Sequence, residues 1–147
     1  MIIVSFFLDG LLSNYLSFPF FLTLTSIIFY SNFLNEDTFI KYSLVIGILY
    51  DITYTNTLFL NGILFFLIAL FLKTIDRRYK NKLSFFLLLN GLIHLIYVMT
   101  IYLLLILFRY LTFDAFILIK GLVESILIDT IYFLILYFIY HKIKHHT

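Results

Sequence analysis

Apolar residues dominate this chain so thoroughly that its organisation is read from the interruptions. Long runs of Leu, Ile, Phe and Tyr are broken by polar clusters at "SNYLSFP" (13–19), "NEDT" (35–38), "DITYTN" (51–56), "KTIDRRYKNK" (73–82) and "RYLTFD" (109–114). The runs between them predict six helices, over about 2–16, Pro19–Leu34, 38–51, 57–74, 83–109 and 115–142, the last ending in "HKIKHHT". Pro19 suits a first helical turn, where a residue without an N–H loses nothing. A single segment broken at Pro19 would replace the first two helices and bring the count to five. Asp37 or Thr38 is the expected N-cap of the third helix, and Thr112 or Asp114 of the sixth.

Composition turns this pattern into a fold class. The chain has 147 residues, 63% of them hydrophobic and 12% charged, whereas a soluble domain is about 25% charged. One domain of this size cannot bury so much apolar surface, so lipid is the expected solvent. The expectation is an all-α integral membrane protein, one transmembrane helical domain over residues 1–147. "MIIVSFFLDG" lacks the basic n-region and cleavage site of a signal peptide and is read as mature helix. With no cysteine, disulfides and thiolate chemistry are excluded.

Charge sets an orientation. Lys73, Arg77, Arg78, Lys80 and Lys82 lie in one loop, and Lys142 and Lys144 in the tail. By the positive-inside bias both segments are expected in the cytoplasm. Two helices separate them, as a returning pair requires. Counting back puts the N-terminus and "NEDT" inside, and the turns at 14–18, 51–56 and 109–114 outside. Orientation alone accounts for the basic loop; binding to anionic lipid or a cytoplasmic protein would be a further role.

Ionisable residues at bilayer depth cost at least ~2.5 kcal/mol each, so each needs a reason. The candidates are Asp9, Asp51, Lys120, Glu124 and Asp129, with Asn90 and His94 as polar companions. Asp51 follows Thr38 by only about 20 Å of helix, short of the ~30 Å core. It is expected below the outer surface, either capping backbone N–H groups of the turn or meeting a ligand or protein. Lys120 and Glu124 form an i,i+4 pair. Asp129 is rotated from Glu124 by about 140° and needs a partner on another helix. His94 is in reach, as interhelical glue or as a proton relay. His141, His145 and His146 are read as a solvated tail rather than a metal site. "DGLLSN" (9–14) and "DITYTN" (51–56) share Asp-x4-Asn, an echo read as coincidence because few identities extend it. No nucleophile setting, metal cluster or phosphate-binding Gly loop is present, so neither catalysis nor a cofactor is expected. Nucleic-acid binding has no support.

"GILYDITYTN" (47–56), followed by an apolar helix and a basic loop, resembles the bacterial rod shape-determining MreD family of low-GC Gram-positive type. That family carries Gly-x-x-x-Asp at the end of its third helix. Gly47, Leu49, Tyr50, Asp51, Tyr54 and Thr55 match position by position, with Asn56 closing the turn. The family's glycine after the turn stands here at Gly62, and its proline at the start of the last helix is absent. The resemblance implies a non-enzymatic subunit of the cell-elongation machinery in the cytoplasmic membrane, with both termini cytoplasmic. It implies association with MreC and, through it, with MreB, RodA and a class B penicillin-binding protein. It also implies a fold similar to the substrate-binding subunits of energy-coupling-factor transporters. The alternative reading is therefore a vitamin-binding subunit with a polar pocket around Asp51 and Asn56.

Overall fold

The computed structural model describes residues 2–13, 22–55, 59–75, 82–109 and 112–146, and the regular structure among them is entirely helical. Six α-helices follow one another: α1 (Ile2–Ser13), α2 (Leu22–Tyr30), α3 (Glu36–Tyr50), α4 (Leu60–Thr74), α5 (Leu83–Leu107) and α6 (Ala115–His146). Two of them, α5 and α6 over Ala115–Lys142, are long and apolar enough to cross a membrane, while α1 and α4 are apolar but shorter.

The short helix α2 is the hub. It packs against α1, α4, α5 and α6, and every residue from Leu22 to Phe29 is buried. Phe29 meets Phe133 of α6 edge to face at 5.7 Å, and Phe133 meets Phe86 of α5 the same way at 5.0 Å. The tightest pairing is the α3–α4 hairpin. A Cβ placed on Gly47 would stand 2.6 Å from the Asn61 carbonyl oxygen and 2.7 Å from Gly62 Cα. Glycine on both helices is what lets the two backbones touch.

The distribution of polarity is inverted relative to a water-soluble fold. Ser5, Asp9, Thr23, Thr25, Ser26, Asp51, Asn61, Asn90, His94, Ser125 and Asp129 are buried, while Ile3, Phe7, Leu88, Leu103, Phe116, Ile119, Leu127 and Phe138 are exposed. Soluble proteins do the reverse; an outer surface of this kind suits a solvent that cannot hydrogen-bond.

Helix ends depart from the sequence expectation. Helix α2 stops at Tyr30 rather than Leu34. There Ser31 turns its hydroxyl back onto the Ile28 carbonyl at 2.7 Å, and its N–H is shared between the Ile27 and Ile28 carbonyls. Helix α3 starts earlier, behind an extended Asn35 (φ −62°, ψ 143°). Asp37 and Thr38 therefore lie inside the helix and are not its cap; Glu36 and Asp37 instead put negative charge on the first turn, where the macrodipole favours it. The break expected after Asp51 is not a simple turn: the chain continues as a π-helical turn over Asp51–Thr55. Helix α4 begins at Leu60 after Phe59, whose φ of 59° is left-handed. Helix α5 ends at Leu107, and α6 continues to His146. Pro19 and the turn at 14–18 lie outside the described residues.

Candidate functional site

The site is built around Asp51, at the junction of α3 and the π-helical turn. Its Oδ1 accepts from the Asn61 backbone N–H (3.1 Å), the Asn61 side-chain amide (2.7 Å) and the Thr55 hydroxyl (3.0 Å). Its Oδ2 accepts from the Gly62 N–H at 3.0 Å. Asp51 thus satisfies two of the free N–H groups at the start of α4, a place where the helix dipole also favours an anion. Asn61 passes the connection on, because its Oδ1 accepts from the Tyr97 hydroxyl of α5. Gly47, one turn before Asp51, allows the approach. Tyr54 reaches across to α1, donating to the Phe6 carbonyl at 2.7 Å and lying over Gly10. Tyr50 is buried between Tyr54 and Phe65. Asn56 lies outside the described residues.

Asp9 does on α1 what Asp51 does on α3. Its two oxygens accept from the backbone N–H groups of Leu22 (2.8 Å) and Thr23 (2.9 Å), with the Thr23 hydroxyl at 2.5 Å. In both hairpins a buried aspartate on the first helix takes two consecutive N–H groups at the start of the second. The aspartates of the Asp-x4-Asn echo thus share a role, while Asn14 and Asn56 lie outside the described residues. The capped residues lie at different separations, which is why aligning the two stretches shows so little.

A second cluster joins α2, α5 and α6. His94 Nε2 lies 3.0 Å from Asp129 Oδ2 and 3.3 Å from the Thr25 hydroxyl, and Nδ1 lies 3.0 Å from the Asn90 carbonyl oxygen. Ser125 donates to the same Asp129 oxygen at 3.1 Å. The imidazole thus has a carbonyl on one side and a carboxyl on the other. A neutral ring has one N–H. Both contacts are met only if the ring carries two protons, or if Asp129 carries one and donates it to Nε2. In either case a proton lies between Nε2 and Oδ2. Asn90 is buried one turn before His94, and neither atom of its amide has a hydrogen-bond partner among the described residues. Near this cluster the Ser5 hydroxyl bridges Ser26 of α2 and Tyr132 of α6, the latter at 2.6 Å.

The remaining sequence candidates stand apart from this interior. Lys120 and Glu124 face outward, Nζ to Oε1 3.9 Å. Lys73 pairs with Glu36 at 3.3 Å, bringing the start of α3 and the end of α4 together. Lys82 precedes α5; Arg77, Arg78 and Lys80 lie outside the described residues. His141 lies against Tyr137, ring centroids 4.2 Å apart. Among the described residues no group of three or more His, Cys, Asp or Glu could hold a metal ion. Asp114, one of the two expected caps of α6, accepts from the Phe116 and Ile117 N–H groups.

The sequence reading passed over Asn61, Thr23, Thr25, Ser26, Ser5, Tyr97 and Ser125 as members of this network. "TLTS" (23–26), three hydroxyls inside an otherwise apolar helix, was the available signal for α2. No family model, curated protein or solved structure matches the chain.

Proposed function

We propose that this chain is a multi-pass, non-catalytic membrane scaffold of the MreD type. On this reading it acts in bacterial cell elongation and lateral-wall peptidoglycan synthesis with MreC and, through it, with MreB, RodA and a class B penicillin-binding protein. The observation that carries the reading is the use made of the residues behind the resemblance. A Cβ on Gly47 would meet the Asn61 carbonyl oxygen of α4 at 2.6 Å. Four positions later, Asp51 locks the same hairpin by capping α4. The motif builds shape, which is what a scaffold presents to partners. The vitamin-binding alternative is less well supported: both oxygens of Asp51 are already engaged by Asn61, Gly62 and Thr55.

The proposed arrangement is six spans in the cytoplasmic membrane, with both termini cytoplasmic. The Lys73–Glu36 pair supports it by putting "NEDT" and the start of the basic loop at one end of the α3–α4 hairpin, the end that the basic residues assign to the cytoplasm. Depleting the protein in its host is expected to turn rods into rounded cells, and the tagged protein is expected to co-purify with MreC. Cells that stay rod-shaped and a purification without MreC would overturn the reading.

A further inference from the structure

Asp9, Asp51, His94 and Asp129 all point into the bundle. Lys120 and Glu124 do not: their side chains are 61% and 48% exposed on the outer face of α6. Two contacts set their depth against α5. The Tyr102 hydroxyl meets the backbone of Asp114, and His94 meets Asp129. Counted from the His94–Asp129 contact, Lys120 is about 13.5 Å and Glu124 about 7.5 Å nearer the Leu107 end of α5. With His94 about 19.5 Å from Leu107, that puts Lys120 about 6 Å and Glu124 about 12 Å inside the Leu107 end of α5. Helix α5 belongs to a run, 83–108, with no Lys, Arg, Asp or Glu. Glu124 therefore lies inside the apolar layer when α6 crosses a bilayer, with Lys120 nearer its edge.

Lipid offers such a pair nothing. Their mutual separation of 3.9 Å is long, and neither side chain makes a hydrogen bond among the described residues. Charged residues in membrane helices face protein or water, so this face calls for a protein cover that brings both an acid and a base. A second copy of this chain brings them by construction. In two α6 helices side by side and pointing the same way, Cβ bonds tilt toward the N-terminus. Both side chains lean the same way, so Glu124 of each copy stays one helical turn from Lys120 of the other, the offset that the two already span within one helix at 3.9 Å. A twofold axis along the bilayer normal makes both cross-pairs at once.

We propose that the outward face of α6 around Lys120 and Glu124 is a self-association surface, on which Lys120 of each copy pairs with Glu124 of the other. Val123 and Leu127, exposed beside the pair, supply the apolar contact. The proposal rests on α6 crossing a bilayer and not on the cell-elongation reading, so its failure leaves that reading intact.

The chain has no cysteine, so single-cysteine crosslinking in phosphatidylcholine vesicles at high lipid dilution tests it cleanly. Val123→Cys is expected to form disulfide-linked dimers at least tenfold more than Leu103→Cys on the exposed face of α5. In the Val123→Cys background, Lys120→Glu alone and Glu124→Lys alone are expected to lose most of that dimer. Their equimolar mixture, and the double exchange Lys120→Glu/Glu124→Lys, are expected to restore it. Equal crosslinking at 123 and 103, indifference to charge reversal, or no rescue in the mixture would each overturn the proposal. If the single reversals fail to insert, the 123 against 103 comparison and the double exchange decide it.

Discussion

At the scale of single residues, Asp51 holds the start of α4 with both of its carboxyl oxygens. Oδ1 accepts from the backbone and side-chain N–H groups of Asn61 and from the Thr55 hydroxyl, and Oδ2 accepts from the Gly62 N–H. Asp51→Asn can keep its remaining oxygen on the Asn61 side while stranding the Gly62 N–H, at about 1–3 kcal/mol. Asp51→Leu strands every donor, and its loss is expected to be at least twice as large. Thermal unfolding in one detergent, followed by circular dichroism, ranks the two; equal losses would mean that the carboxylate's charge meets something other than these donors. His94 and Asp129 behave as a unit. Asp129→Leu removes the carboxyl that His94 Nε2 meets and is expected to cost about 1–3 kcal/mol. His94→Leu/Asp129→Leu, which removes both polar partners, is expected to recover most of that loss by the same assay. A double variant no better than the single one would show that the pair is not acting as one unit.

At the scale of elements, the α3–α4 hairpin depends on what Gly47 lacks. Gly47→Ala would press a methyl group against the Asn61 carbonyl and Gly62 Cα, and neither is a side chain that can swing away. The two helices must part, at a cost of about 1–3 kcal/mol. Gly91→Ala is the control, since a Cβ there meets nothing within 4 Å. It is expected to be neutral or to stabilise by up to about 1 kcal/mol through helix propensity. The melting temperature should fall for Gly47→Ala and not for Gly91→Ala, and matching shifts would remove the close-approach argument. The six helices were legible because apolar runs and polar breaks are local. The π-helical turn was not. It depends on Asp51 being held by α4, whereas a single widened turn leaves no periodicity to read. The end of α2 was misplaced for a similar reason: a serine's choice between helix and backbone hydrogen bond is settled within one turn.

At the scale of the whole molecule, partner choice is the part that one-dimensional pattern could not supply. Thr25 and His94 are 69 positions apart, and Ser5 and Tyr132 are 127 apart. Intramembrane polar residues were recognisable by their rarity, but their pairing follows from how α2 threads the bundle. His94 with Asp129 was reachable only because α5 and α6 are consecutive antiparallel neighbours. The same inversion, polar groups inside and Ile, Leu and Phe outside, supports a bundle held by internal hydrogen bonds within lipid. In that setting the connections should open on alternate sides of the membrane. Because the chain has no cysteine, each introduced thiol reports one connection. Phe113, between α5 and α6, and Phe33, between α2 and α3, are both exposed. A membrane-impermeant maleimide is expected to label Phe113→Cys in intact cells and Phe33→Cys only after permeabilisation. Labelling of both thiols in intact cells would reject the six-span topology with cytoplasmic termini, because that topology puts an even number of crossings before Phe33 and an odd number before Phe113.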